Sequence, residues 1–154
     1  MAIEIKNTIS ILLVEDDPLD AKMTLRALAE TQLANHVTLV RDGEEALDYM
    51  YHRGKFQSRE GGDPTLVLLD NKMPKIGGLE VLKALKNDEL LRTIPVVAFT
   101  SSRLPQDLHD FYKHGVNAYV VKAMDYQKFV NSIKQLVVFW TEVNEPLPSA
   151  GEQK

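Results

Sequence analysis

Four short, almost wholly apolar runs stand out along the chain, and a fifth alternates more weakly. They are Thr8 to Val14, His36 to Val40 (the weak one), Thr65 to Leu69, Ile94 to Phe99 and Ala118 to Val121. Runs this short and continuous, rich in Val, Ile and Leu, predict strands buried on both faces of a parallel sheet. Between them the apolar positions take helical spacing. Pro18 suits a first helical position, and Leu19, Met23, Leu25, Ala27 and Leu28 follow it. Asp42 and Gly43 open a second helix through Ala46, Leu47, Tyr49 and Met50. Gly77 and Gly78 lead into a third, bearing Leu79, Val81, Leu82, Leu85 and Leu90. A shorter, more polar helix spans Pro105 to His114 and is stopped by Gly115. Asp125 caps the last, which carries Phe129, Val130, Ile133, Leu136, Val137 and Trp140.

Strand and helix therefore alternate five times, which predicts an α/β fold with a doubly wound, five-stranded parallel sheet and five helices. Arg53 to Pro64, rich in Gly and charge, is longer than most such connections and is expected to be mobile. Pro146, Pro148 and Gly151 mark a frayed tail. The expected division is an extension over 1–7, one domain over 8–143 and a flexible tail over 144–154.

Composition narrows the chemistry. The 154 residues are enough to bury a core without staples. Cysteine is absent, which removes disulfides, thiolate nucleophiles and Cys-type zinc sites. No apolar run approaches a membrane span, and the start Met1-Ala2-Ile3-Glu4-Ile5-Lys6 lacks the basic and apolar regions of a secretory signal, so the expected location is cytoplasmic. A net charge of −4 with no cluster of Lys and Arg argues against a nucleic-acid partner.

The residues that end the runs carry the chemistry. The first run passes into Glu15, Asp16 and Asp17, the third into Asp70, the fourth into Thr100, Ser101 and Ser102, and the fifth into Lys122. In an open α/β sheet the carboxyl ends of the strands are where ligands bind. Acids grouped there repel one another unless a cation compensates, and Mg²⁺ is usually held by one or two carboxylates together with a phosphate. Glu15, Asp16 and Asp70 are therefore candidate metal ligands. Thr100 and Lys122 are candidates to stabilise charge on a phosphoryl group arriving at Asp70.

The stretches Val14-Glu15-Asp16-Asp17, Leu69-Asp70-Asn71-Lys72-Met73-Pro74, Thr100-Ser101 and Tyr119-Val120-Val121-Lys122 resemble the motifs of receiver domains of two-component response regulators, over about Ile9 to Trp140. That resemblance implies a flavodoxin-like sheet with strand order 2-1-3-4-5. It implies Asp70 as acceptor of a phosphoryl group from a sensor histidine kinase, with Mg²⁺ held by Glu15, Asp16, Asp70 and the Lys72 backbone carbonyl. It implies Thr100 and Lys122 as phosphate-binding residues and Tyr119 as a rotameric switch. Phosphorylation is then self-modification, with no small molecule turned over.

The chain departs from the pattern at Ala123, where the family usually has Pro after the lysine, often with a cis bond. A cis bond without proline costs ~3 kcal/mol, which opens the geometry of this loop to question. Too few residues follow Trp140 for an effector domain, so output is expected through a partner or self-association. Phe139 and Trp140 are candidate interface residues, with packing over the domain's own core as the alternative. The long loop after the second helix, the Lys-Ala variation and the Phe-Trp ending resemble stand-alone receivers that serve bacterial and cyanobacterial phytochromes, which implies a homodimer and a phytochrome kinase. Three other readings are weighed against this one. A receiver-fold module could dimerise without phosphorylation. An aspartyl phosphatase would usually need a second acid at the position of Lys72, and a flavin site would need a Gly- or Ser-rich loop after the first strand.

Overall fold

The computed structural model describes residues 9–33 and 36–148. The expected start of the first strand at Thr8, the extension 1–7 and Gly151 in the tail lie outside the described residues. The apolar runs form β1 (Ser10–Val14), β2 (His36–Val40), β3 (Leu66–Leu69), β4 (Val96–Thr100) and β5 (Ala118–Val121). All neighbours pair in parallel, in the order β2-β1-β3-β4-β5. The helices are α1 (Pro18–Thr31), α2 (Gly43–Met50), α3 (Gly78–Asn87), α4 (Pro105–Lys113) and α5 (Tyr126–Val138). This is the doubly wound, five-stranded arrangement that the alternation predicts.

Successive side chains of a strand point to opposite faces, so each run supplies two cores. Leu12, Val14, Val67, Leu69, Val96 and Ala98 pack with Ala46, Met50, Val81, Leu82, Leu85 and Phe111 of α2, α3 and α4. Ile11, Leu13, Leu66, Leu68, Val97 and Phe99 pack with Ala27, Leu28, Phe129, Val130, Ile133 and Val137 of α1 and α5. Burial on both faces is why β1, β3 and β4 read as continuous apolar runs. The edge strands β2 and β5 are less buried, and β2 shows the weaker pattern. Three of the five helices begin at capping carboxylates: at α1 Asp17 accepts from the Asp20 N–H, at α2 Asp42 from Glu45 and at α5 Asp125 from Lys128.

Several boundaries differ from the expected ones. β4 starts at Val96, because Pro95 has no N–H for a ladder, and runs on to include Thr100. α3 ends at Asn87, where the Asp88 carboxylate takes the N–H groups of Leu90 and Leu91 into a turn. Leu90, expected on the helix, is 84% exposed, and Leu91 takes the buried position. The Arg53–Pro64 connection, expected to be mobile, is fastened at several points. It contains a 3-10 turn over Gly54–Phe56, with Phe56 edge-on to Tyr49. The Arg59 guanidinium lies 4.0 Å over the Tyr49 ring, and its Nε donates to the Tyr49 carbonyl. α5 continues into a π-helical turn over Phe139–Val143, so Trp140 lies beyond the α-helix proper. No helix among the described residues is long and apolar enough to cross a membrane.

Candidate functional site

The register of the sheet assembles the site. Val14 pairs with Leu69, Leu69 with Ala98, and Thr100 with Val121. Glu15, Asp70 and Lys122 each follow one of these rungs directly, and Thr100 is the last residue of β4. The backbone carries the ladder one step further: the Glu15 N–H donates to Val40, Asp70 to Val14 and Lys122 to Thr100. The four side chains therefore leave the sheet at one rim, over a cavity of about 490 Å³ that is also lined by Asp16, Asp20, Lys72 and Ser102.

Close backbone approach fixes the loop after Asp70. The Gly78 N–H donates to the Asn71 carbonyl at 2.7 Å, and a Cβ at Gly78 would lie 2.0 Å from the Asp70 carbonyl oxygen. The Gly43 N–H likewise donates to the Ile76 carbonyl, where a Cβ would lie 2.1 Å away. Any side chain at either position would push this loop, and Asp70 with it, out of place.

Lys122 is the electrostatic centre. Its Nζ donates to Glu15 Oε2 and to Asp20 Oδ2, both at 2.9 Å, and lies 3.7 Å from Asp70 Oδ1. Burial alone would lower the ammonium's pKa, but the Asp20 hydrogen bond, the Asp70 charge and Glu15 outweigh it and hold the group above its ordinary value. The acids are also raised, which for them favours the neutral form. Burial, then the charge of Asp70, raises Glu15 to about 7 despite the opposing Lys122. Burial also raises Asp70, against Lys122, the Asn71 N–H and the Thr100 hydroxyl. One ammonium does not compensate the buried Glu15 together with the half-buried Asp16, Asp20 and Asp70, so the site favours a further cation.

The donor set suits such a cation. Glu15, Asp16 and Asp70 each offer a carboxylate oxygen within 4.8 Å of the other two. Hard oxygen donors of this kind can hold a divalent metal ion. All the residues expected at the phosphoryl and metal site are thus brought to one cavity, Lys72 on its wall among them. Asp20 was not anticipated. It sits in the first turn of α1, three residues after the Asp17 cap, where a helical side chain faces back toward the strand ends. That spacing is the signal that could have found it. The Lys122–Ala123 bond is trans, and no cis peptide occurs among the described residues.

Tyr119 stands beside the cavity rather than in it. Its ring is edge-on to Phe111 at 5.6 Å, and its hydroxyl donates to the Ser102 carbonyl at 3.0 Å. Ser102 is a junction: its N–H donates to Thr100 Oγ1 and its hydroxyl bonds to Asp107 of α4. At the far end of α5 the two candidate interface residues part company. Trp140 packs on the core shared by α1 and α5. Phe139 is 47% exposed and, with Lys134, Gln135, Val138 and Val143, lines an apolar groove of about 320 Å³. Of the two alternatives weighed for this pair, packing over the domain's own core holds for Trp140, while Phe139 is left half exposed.

This fold, with its acidic rim, hydroxyl and buried lysine, is that of a response regulator receiver domain, and the profile of that family matches residues 11–134. The chain belongs to the response-regulator receiver family. Receivers are phosphotransfer modules, so the readings as a phosphatase or a flavin protein fall away. The chain is 31% identical to the response regulator Rcp1 of Synechocystis sp., covering 91% of this chain and 93% of that protein. The manganese-bound form of Rcp1 superposes with a TM-score of 0.84 over 91% of this chain and 99% of that one. The phosphorylated cyanobacterial phytochrome response regulator RcpA gives 0.86 at 32% identity, covering 92% and 100%. The bacteriophytochrome response regulator AtBRR is 52% identical, with a TM-score of 0.73 and coverage of 90% and 99%. Response regulators of phytochromes are thus among the solved structures this chain resembles.

Proposed function

We propose that this chain is a cytoplasmic signalling switch in which Asp70 accepts a phosphoryl group from a histidine kinase, with Mg²⁺ as the metal. The observation that carries this reading is the Asp70 carboxylate, standing in one cavity with Glu15, Asp16 and the Lys122 ammonium, the last 3.7 Å away. An Asp70 oxygen attacks the phosphorus of a phosphohistidine. The new O–P bond forms as the N–P bond breaks, and the imidazole leaves neutral, keeping the proton already on its other ring nitrogen. Glu15, Asp16, Asp70 and the Lys72 carbonyl would hold Mg²⁺, which when bound would neutralise charge on the phosphoryl oxygens. Lys122 and the Thr100 hydroxyl bind the same oxygens from the β4 and β5 side.

The Thr100–Ser102–Tyr119 contacts give the switch a path. When Thr100 turns to the phosphoryl group, the Ser102 N–H loses its acceptor, and the loop that the Tyr119 hydroxyl holds is released at one end. The kinship with phytochrome response regulators supports a phytochrome histidine kinase as donor. The exposed Phe139 groove supports a homodimer as one output, within a receiver domain over 8–143.

The test is intact mass after treatment with acetyl phosphate, beside Asp70→Asn. Gain of one phosphoryl group that needs both Mg²⁺ and Asp70 is the expected result. A folded protein that gains none would leave a phosphorylation-independent dimerisation module as the better account.

A further inference from the structure

We propose that Asp20 is a positioning residue: it tethers Lys122 in the unphosphorylated protein and so sets how readily the site takes and keeps a phosphoryl group. The inference rests on the acceptor role given above to Asp70. An ammonium has three donors. Two are committed at 2.9 Å, to Glu15 and Asp20, while Asp70 is held off at 3.7 Å. Lys122 is 8% exposed, so water does not freely replace a lost partner.

The tether is built into the start of α1. The Asp20 N–H is fixed by the Asp17 carboxylate, and its carbonyl accepts the Thr24 hydroxyl, which anchors the backbone that carries the side chain. Asp20 lies outside the cluster of Glu15, Asp16 and Asp70 that suits a metal. Its charge therefore has Lys122 as its counterpart and opposes any further negative charge entering the cavity. The two 2.9 Å bonds hold the Lys122 ammonium back from Asp70, so moving it closer to a phosphoryl group formed there lengthens one of them. Asp20 is the partner that yields, because its side chain is 28% exposed and water resolvates it, whereas Glu15 at 3% has no such recourse.

The experiment is equilibrium binding of beryllofluoride in the presence of Mg²⁺, followed by fluorine NMR. This probe bonds to a carboxylate oxygen and mimics a phosphoryl group. Asp20→Asn, Asp20→Glu and wild type are compared, each also with Lys122→Met, and thermal melting confirms that each variant folds. Asp20→Asn should bind on the order of fivefold tighter, as expected for removing one partly exposed ion-pair partner. Asp20→Glu should restore wild-type affinity. The gain should shrink when Lys122 is Met, a dependence that a purely structural role for Asp20 does not produce.

Unchanged or weaker binding by Asp20→Asn overturns the proposal, as does a gain that survives in full without Lys122. Wild-type protein that fails to bind the probe, or binds it equally well as Asp70→Asn, overturns the acceptor reading itself, and this inference with it.

Discussion

Glu15 and Lys122, 107 residues apart in the chain, form a buried pair at 2.9 Å. The bond runs from the end of β1 across the ends of β3 and β4 to the edge strand β5. It ties the rim of the sheet together without neutralising it, and the pH response of the protein follows from that imbalance.

Glu15 is raised from 4.5 to about 7, so between these values the folded protein holds a proton that the unfolded chain has lost. Stability from this group is full below about 4.5 and is lost as pH rises through about 7, and the raised Asp70 adds to the same trend. Glu45 and Asp88, which are lowered, act in the opposite sense only below their ordinary values. Metal-free protein should therefore melt at a lower temperature at pH 8 than at pH 5.5, and Mg²⁺ should reverse much of the loss at pH 8. Melting curves at both pH values, with and without Mg²⁺, check this. A flat profile would mean that Glu15 is ionised throughout.

Gly78→Ala places a methyl group 2.0 Å from the Asp70 carbonyl oxygen. The backbone must move, at a cost of about 2 kcal/mol. Because the moved segment carries the acceptor, phosphorylation by acetyl phosphate should slow as well. Urea unfolding and intact-mass time courses measure the two effects, and a variant that loses neither would show that α3 can slide.

Removing the Tyr119 hydroxyl as Tyr119→Phe keeps the ring against Phe111 and deletes only the bond to the Ser102 carbonyl. The expected loss is about 1 kcal/mol. Amide exchange should quicken at Ser102 to Leu104 and stay unchanged in β1. Uniform quickening across the sheet would instead indicate general destabilisation.

Phe139→Ala and Trp140→Ala should separate assembly from stability. Trp140 packs on the core, so its loss should destabilise the protein by about 2 kcal/mol. Phe139 contacts Trp140 edge-on but is about half exposed, and its loss should cost less stability than that of Trp140 while weakening self-association. Sedimentation velocity beside urea unfolding distinguishes the two. If Phe139→Ala leaves the oligomeric state unaltered, the groove is not the dimer contact.

Taken alone, the sequence determined the sheet and the chemistry of its rim. Strands buried on both faces must be continuously apolar, so β1, β3 and β4 were legible as runs, and the polar residue that breaks each run had to emerge at a strand end. That logic placed Glu15, Asp70, Thr100 and Lys122 at one edge once the strands were parallel. Tertiary structure decided what depends on distance between elements. Asp20 reads as one more acid in a first helical turn, and only tertiary packing, with α1 against α5, brings it within 2.9 Å of Lys122. Phe139 and Trp140 are adjacent and chemically alike, and the π-helical turn at the end of α5 sends one to the core and the other to solvent. Leu90 has the spacing of a buried helical residue, but the Asp88 turn ends α3 first. In each case local pattern fixes which face a residue can present, while the neighbour it meets is set by contacts remote in the chain.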